Sequence, residues 1–342
     1  MLEKPIKKED FHSSRLSVAP MLDWTDRHCR FFHRQLSREA LLYTEMVTAP
    51  ALVRGAALHL LEHDPQEHPV ALQLGGSDPK ELAAAARVGA DAGYGEINLN
   101  CGCPSDRVQS GCFGAVLMRS PELVAEICSE MQAACRAEIT VKCRIGVDDQ
   151  VPQDTLPVFL DHLQRAGIGH VIIHARKAWL NGLSPKDNRT IPPLDYPLVL
   201  AMKRQFPALR ISLNGGVSTL DQVAELLASG LDGVMVGRAA YQRPGDILLE
   251  ADQRIFGRGD PTDLDRALDQ MRSYIEREVT QGMRLAAITR HMLGLFAGQP
   301  GARQWRRILS EQAHLRGAGP EVLDMARSAL RAEQARVALS AG

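Results

Sequence analysis

Eight short runs of apolar and β-branched residues recur along the chain, each followed by a turn and a helix-periodic stretch, and this alternation limits the fold more than any other feature. The runs span residues 16–19, 41–44, 70–74, 96–99, 139–144, 171–174, 211–214 and 233–236. Helical patterns between them cover 79–92, 121–137, 155–166, 197–206 and 219–229. Parallel strands need crossovers of this kind, and strands buried on both faces read as near-continuous apolar runs. Eight such units in about 250 residues match a closed TIM (β/α)8 barrel. A doubly wound sheet would carry a glycine-rich phosphate turn after its first strand. This chain has Pro20-Met21-Leu22-Asp23-Trp24 there, so the barrel is the better reading.

The pattern changes after about residue 245. No further strand-like run appears, only helical periodicity broken at 257–261, 298–301 and 317–320. The expected organisation is a disordered, charged arm over 1–14, a barrel over 15–250, and a small all-helical C-terminal domain over 256–342. Between Gly282 and Arg316 six arginines (Arg284, Arg290, Arg303, Arg306, Arg307, Arg316) face one acid, Glu311. The whole chain carries a net charge of −1, so its global electrostatics does not point to nucleic acid. The arginine-rich segment does, because a local excess of positive charge attracts phosphates on an otherwise neutral protein.

No run of eighteen apolar residues is present, so no membrane span is expected. The charged start, Met1 to Asp10, lacks the apolar centre of a secretory signal. Seven cysteines lie scattered without a disulfide-like framework, which fits a reducing cytoplasm.

Active sites of barrels sit at the C-terminal ends of the strands. Those positions here hold Pro20-Met21, Glu45, Gln73, Asn98 and Asn100, Lys142 with Arg144, His174 with Arg176, Asn214-Gly215-Gly216, and Gly237-Arg238. Any one of them could serve packing, but the whole set is hard to explain that way. The last two turns follow strands seven and eight, where barrels commonly hold a phosphate. Glycine lets backbone N–H groups approach an anion, and arginine binds it bidentately. A phosphate there suits either FMN or a phosphorylated sugar. A lysine at the pyrimidine edge of a flavin would stabilise the anionic reduced form. The same Lys142 could instead form a Schiff base. Gln73 and Asn100 could hydrogen-bond a flavin ring or a substrate base.

Cys103 lies just past the fourth strand on a turn built by Gly102 and Pro104. An ordinary thiol is mostly protonated at neutral pH and can act as a general acid. Cys101, Cys103 and Cys112 lack the C-x-x-C spacing and a fourth partner, so no structural metal is expected. Cys128, Cys135 and Cys143 read as buried, inert thiols. Cys101 faces inward or outward according to how far the strand continues.

Taken in order, these stretches resemble the tRNA-dihydrouridine synthases, and the bacterial A-type subfamily in particular. The matching pieces are Val18-Ala-Pro-Met-Leu-Asp-Trp-Thr-Asp26, Tyr43-Thr-Glu-Met46, Ala71-Leu-Gln-Leu-Gly-Gly76, Glu96-Ile-Asn-Leu-Asn100, Gly102-Cys-Pro-Ser105 and Val141-Lys142 with Arg144. Ile173-His-Ala-Arg-Lys177, Gly182-Leu-Ser-Pro-Lys186, Asn214-Gly-Gly216 and Val236-Gly-Arg238 complete them.

The resemblance implies an FMN-containing barrel, NADPH as reductant, tRNA as partner and a helical tRNA-binding domain. It implies that Pro20, Met21, Leu22, Gln73, Lys142, His174, Asn214, Gly215, Gly216, Gly237 and Arg238 hold FMN. Cys103 would be the proton donor, and Asn100 would contact the nucleotide near the flavin. Lys186, Arg189, Arg303 and Arg306 would contact tRNA. The implied reaction sends a hydride to C6 and a proton to C5 of a D-loop uridine, at position 20 with 20a as a second candidate. A cytoplasmic monomer is expected. Cys101 departs from the family pattern, which usually has an apolar residue there. Three other readings compete: a flavin barrel reducing a free pyrimidine, as dihydroorotate dehydrogenases do; an aldolase or isomerase using Lys142; and a noncatalytic tRNA binder.

Overall fold

The computed structural model describes residues 13–55, 57–105 and 112–341; the expected arm therefore lies outside the described residues except for 13 and 14, and so does the stretch 106–111 of the cysteine loop. Ser13–Arg15 form a single 3-10 turn that leads into the first strand.

Eight parallel strands close into a barrel in sequence order: β1 (Leu16–Val18), β2 (Leu41–Thr48), β3 (Val70–Gly75), β4 (Glu96–Cys101), β5 (Glu138–Arg144), β6 (His170–His174), β7 (Arg210–Asn214) and β8 (Gly233–Val236). β1 pairs with both β2 and β8, which closes the ring. All eight expected runs are strands. The main difference is β2, which continues to Thr48 through an irregularity between Tyr43 and Met46. That bulge re-aims the strand and places Glu45 against the β1 turn, where it accepts from the Asp23 N–H.

Strand alternation sorts side chains into two layers. Ile97, Leu99 and Cys101 of β4, with Ile139, Val141 and Cys143 of β5, join the large apolar core that runs through the molecule. The barrel lumen holds a smaller apolar cluster of Ala19, Leu41, Tyr43, Ala71, Ile172 and Met235. Cys101 is therefore an outward, fully buried thiol, and burial pushes it well above the usual value. It is not a second reagent in the lumen.

The helix Arg27–Leu36 escaped the sequence reading. Its sequence is strongly polar, yet eight of its ten residues are buried. Asp26 caps it by accepting from Cys29 N, and every guanidinium nitrogen of Arg30 and Arg34 has a hydrogen-bond partner. Arg30 pairs with Glu67 at 2.6 Å. Arg34 donates to the carbonyls of Glu67, Ser37, Ala40 and Pro69 at 2.8–3.0 Å. Buried charge is tolerated only when paired in this manner.

Beyond the barrel come the helices Leu264–Thr280, Leu285–Thr289, Ala302–Glu311 and Glu321–Ala341. The three expected breaks fall between helices. A fourth, between Thr280 and Leu285, was not read. Phe31 stacks on Tyr274 with centroids 3.9 Å apart, and His28 Nδ1 lies 2.7 Å from the Tyr274 hydroxyl. The helical segment is thus fastened to the barrel through Arg27–Leu36. No described helix is long and apolar enough to cross a membrane, and among the described residues no group of three or more His, Cys, Asp or Glu could hold a metal.

Candidate active site at the barrel mouth

A chain of hydrogen bonds climbs the lumen from floor to mouth. At the floor, Glu96 Oε1 accepts from the Tyr43 hydroxyl at 2.5 Å and from Thr140 Oγ1 at 2.7 Å. Thr140 Oγ1 accepts from Asn98 Nδ2 at 2.8 Å, and Asn98 Oδ1 accepts from Gln73 Nε2 at 2.8 Å. Gln73 Oε1 then accepts from Asn100 Nδ2 at 2.9 Å. At the top, Asn100 Oδ1 accepts the backbone N–H groups of Gly102 and Cys103, each at 3.0 Å. The four amide and hydroxyl residues are buried, so each bond satisfies a group that would otherwise cost about 1–3 kcal/mol.

This chain seats the cysteine loop. The Cys103 carbonyl accepts from Ala115 N at 2.9 Å, and its half-buried thiol lies 3.5 Å from the Ser105 hydroxyl. Asn100 and Lys142 are register partners across β4 and β5, so the loop and the lysine share one rung of the barrel.

Burial and the neighbouring Glu138 push the Glu96 carboxyl up to about 7, against its hydrogen bonds from Tyr43 and Thr140. Between about 4.5 and 7 the folded protein holds a proton that the unfolded chain has released. Unfolding free energy therefore falls as pH rises through that window. Glu96→Gln is expected to flatten this slope, read as denaturation midpoints at about pH 5 and about pH 7.5. An unchanged slope would rule out Glu96 as its source.

On the other side of the mouth, Lys142 Nζ donates to Asn214 Oδ1 at 3.1 Å, and Asn214 Nδ2 donates to the Met235 carbonyl at 2.8 Å. Burial, aided by Arg144, pulls Lys142 down to about 8. Burial, then Arg144, Lys142, Arg176 and Arg189, hold His174 well below the usual imidazole value, so it is neutral at pH 7. The mouth thus carries a concentrated positive field.

The two glycine turns differ in what constrains them. Gly215 and Gly216 have φ of 111° and 76°. A Cβ on Gly215 would stand 2.6 Å from His174 Cδ2, and one on Gly216 would stand 2.5 Å from Leu194 Cδ1. Tyr196 clamps this turn by donating to the Gly215 carbonyl at 2.5 Å. At Gly237 a Cβ would meet only Ala19 and Met21, at 3.7 and 3.8 Å. The protein itself leaves room there. Nearby, Arg176 donates through Nη1 to the Pro192 and Thr190 carbonyls, while its Nε is buried without a partner. Open space beside glycine, an orphaned guanidinium N–H and a positive field fit an anionic group such as a flavin phosphate.

Other expected residues are also brought together. Pro20, Met21 and Leu22 form the β1 turn, pinned where Thr25 Oγ1 meets Met21 N at 3.0 Å; Leu22 is exposed. Arg238 Nη2 donates to the Arg189 carbonyl at 3.2 Å, which joins the β8 turn to the loop after β6. Lys186 and Arg189 are exposed on that loop. Arg303 and Arg306 sit on the exposed face of Ala302–Glu311, opposite the fully buried Trp305, and neither is in an ion pair among the described residues. They do not join the mouth cluster.

Thr140, Glu96 and Tyr43 were missed as members of the lumen chain, although strict alternation along Glu96-Ile-Asn-Leu-Asn100 would have exposed it. Arg144 was noted only as a polar strand-end residue beside Lys142. It is a buried clasp: Nε donates to the Gly102 carbonyl at 3.1 Å, and Nη1 donates to the Lys177 and Asn188 carbonyls at 3.3 and 2.9 Å.

Comparison with known proteins extends this geometry. The family model described as Dihydrouridine synthase (Dus) matches residues 17–331. The tRNA-dihydrouridine(20/20a) synthase of Vibrio cholerae is 56% identical over 317 residues, covering 92% of this chain and 96% of that one. That of Escherichia coli K12 is 56% identical over 324 residues, covering 94% and 93%. Among solved structures, an old yellow enzyme homologue from Zymomonas mobilis aligns with a TM-score of 0.52 at 13% identity, over 74% of this chain and 91% of that one. That last likeness is one of fold.

Proposed function

Since the chain belongs to the dihydrouridine synthase family, we propose that it reduces uridine to 5,6-dihydrouridine in the D-loop of tRNA, at position 20 and also at 20a. The observation that carries this reading is the shared rung. Asn100 holds the Cys103 backbone, and its register partner is the mouth lysine, Lys142.

When bound, FMN would supply the hydride for C6 of the uracil, with NADPH as its reductant. Gln73, Lys142, His174 and Asn214 would hold the flavin ring, and Lys142 offers positive charge at its pyrimidine edge. Gly215, Gly216, Gly237 and Arg238 would receive the phosphate, and Pro20, Met21 and Leu22 would flank the ring. Cys103 would donate its Sγ proton to C5, and the thiolate left behind regains a proton from solvent. A uridine inside a folded tRNA cannot reach the lumen rim, so it must leave its stack. The residues 256–342 are read as the tRNA-binding domain, with Arg303 and Arg306 joining Lys186 and Arg189 in gripping phosphates. All seven cysteines are free thiols, which supports a cytoplasmic setting. We take the working unit to be a monomer.

The purified protein should be yellow and, given NADPH and unmodified tRNA, should form dihydrouridine in the D-loop, as nucleoside mapping would reveal. Reduction of free uracil or orotate without tRNA would favour the free-pyrimidine reading. Removing charge at Arg303 and Arg306 together should weaken tRNA binding by about tenfold or more, with a shallower salt dependence, while NADPH still reduces the flavin at the native rate. Equal loss of both activities would contradict the division of labour.

A further inference from the structure

We propose that Trp179 is a stacking platform for an unpaired base of the substrate RNA, next to the uridine that enters the mouth; this rests on the tRNA reading above. Trp179 lies on the loop between β6 and the helix Tyr196–Gln205, and its side chain is 41% exposed. A large exposed indole is uncommon unless it meets something, and three features say what it meets.

The first is rigidity. Asn188 is completely buried and serves Trp179 on both sides: its Oδ1 accepts from Trp179 N at 2.7 Å, and its Nδ2 donates to Trp179 O at 2.8 Å. On either flank, Ala178 N donates to the Gly146 carbonyl at 2.9 Å and Leu180 N to Asp148 Oδ1 at 2.7 Å. A backbone held by such a frame leaves only the two side-chain torsions of the indole to be ordered on binding.

The second is charge. Lys177 Nζ sits over one face of the indole, 5.1 Å from its centroid, so a base would take the opposite face, and Lys186 and Arg189 are exposed on the same loop. Cations beside an aromatic surface suit a nucleic-acid strand, whose bases stack while its phosphates pair. An apolar protein partner would not require them.

The third is position. Arg144 donates to Gly102 of the cysteine loop and to Lys177 and Asn188 of the tryptophan loop. One buried guanidinium therefore ties the tryptophan loop to the cysteine loop. Extracting a uridine leaves its neighbours without a stacking partner, and an aromatic face at the rim replaces it.

The test uses flavin-loaded enzyme and full-length unmodified tRNA. Trp179→Ala should raise both Kd and KM for tRNA by about ten- to a hundredfold. Flavin content, melting temperature and NADPH-driven flavin reduction without tRNA should stay at wild-type values. Trp179→Phe should restore most of the affinity, and tRNA-dependent quenching of tryptophan emission should shrink in that variant. Native affinity in Trp179→Ala overturns the proposal. So does a loss of melting temperature or flavin with unchanged tRNA affinity, which would make the residue structural. A wild-type enzyme that neither binds nor reduces tRNA overturns the underlying reading as well, whereas normal wild-type turnover with an indifferent Trp179→Ala sinks the stacking role alone.

Discussion

Cys103→Ala enzyme, loaded with flavin, should bind tRNA almost normally and accept electrons from NADPH, yet form dihydrouridine at least about a hundredfold more slowly. The separation of effects follows from how the residue is held. Its backbone N–H and carbonyl bond to Asn100 and Ala115, and alanine keeps both. Only Sγ is lost, and with it the proton that the proposed mechanism sends to C5. Positioned general acids contribute about 10²- to 10⁴-fold, which sets the scale. Single-turnover reduction of tRNA by pre-reduced enzyme is the decisive measurement. Native rates in the variant would remove Cys103 from the chemistry.

Gly215→Ala is the second large effect expected. Its backbone has φ of 111°, and a Cβ would stand 2.6 Å from His174 Cδ2. Strain in this region costs roughly 1–3 kcal/mol, and the collision must move His174, which packs against the same turn. Flavin affinity of the apoprotein should fall by about ten- to a hundredfold, since about 1.4 kcal/mol is a factor of ten, and thermal stability should fall with it. Gly237→Ala provides the contrast, because a Cβ there makes only ordinary contacts with the protein. It should preserve stability while still impairing flavin binding. If Gly237→Ala binds FMN as well as wild type, the phosphate does not come close to that turn.

The barrel was legible because the eight runs obey a simple rule: strands covered on both faces are apolar almost throughout. The polar cluster at the mouth was legible for a related reason, since polar residues at the ends of such strands have no packing to do. Where the reading failed, burial and polarity had been separated. Arg27–Leu36 looks like a surface helix, and nothing in its sequence reveals that Glu67 and a ring of carbonyls absorb its arginines. The orientation of Cys101 could not be settled until β4 was seen to extend that far. Thr140 escaped because a lone threonine in a strand signals β-propensity before it signals a hydrogen bond. Asn188 gave no warning, since its hydrogen bonds all depend on how a long loop folds back on itself.

The lumen chain donates in one sense along its whole length, from the Cys103 amide down to the Glu96 carboxylate. The peptide N–H groups at the top can only give, so Asn100 must offer them its oxygen and turn its Nδ2 down to Gln73, which in turn faces its own amide nitrogen, Nε2, toward Asn98. Which edge Gln73 and Asn100 turn toward the mouth is therefore decided by the backbone of the cysteine loop. A change in how that loop is drawn across the mouth could reverse the hydrogen-bonding face of the lumen without a substitution in any of its carboxamides.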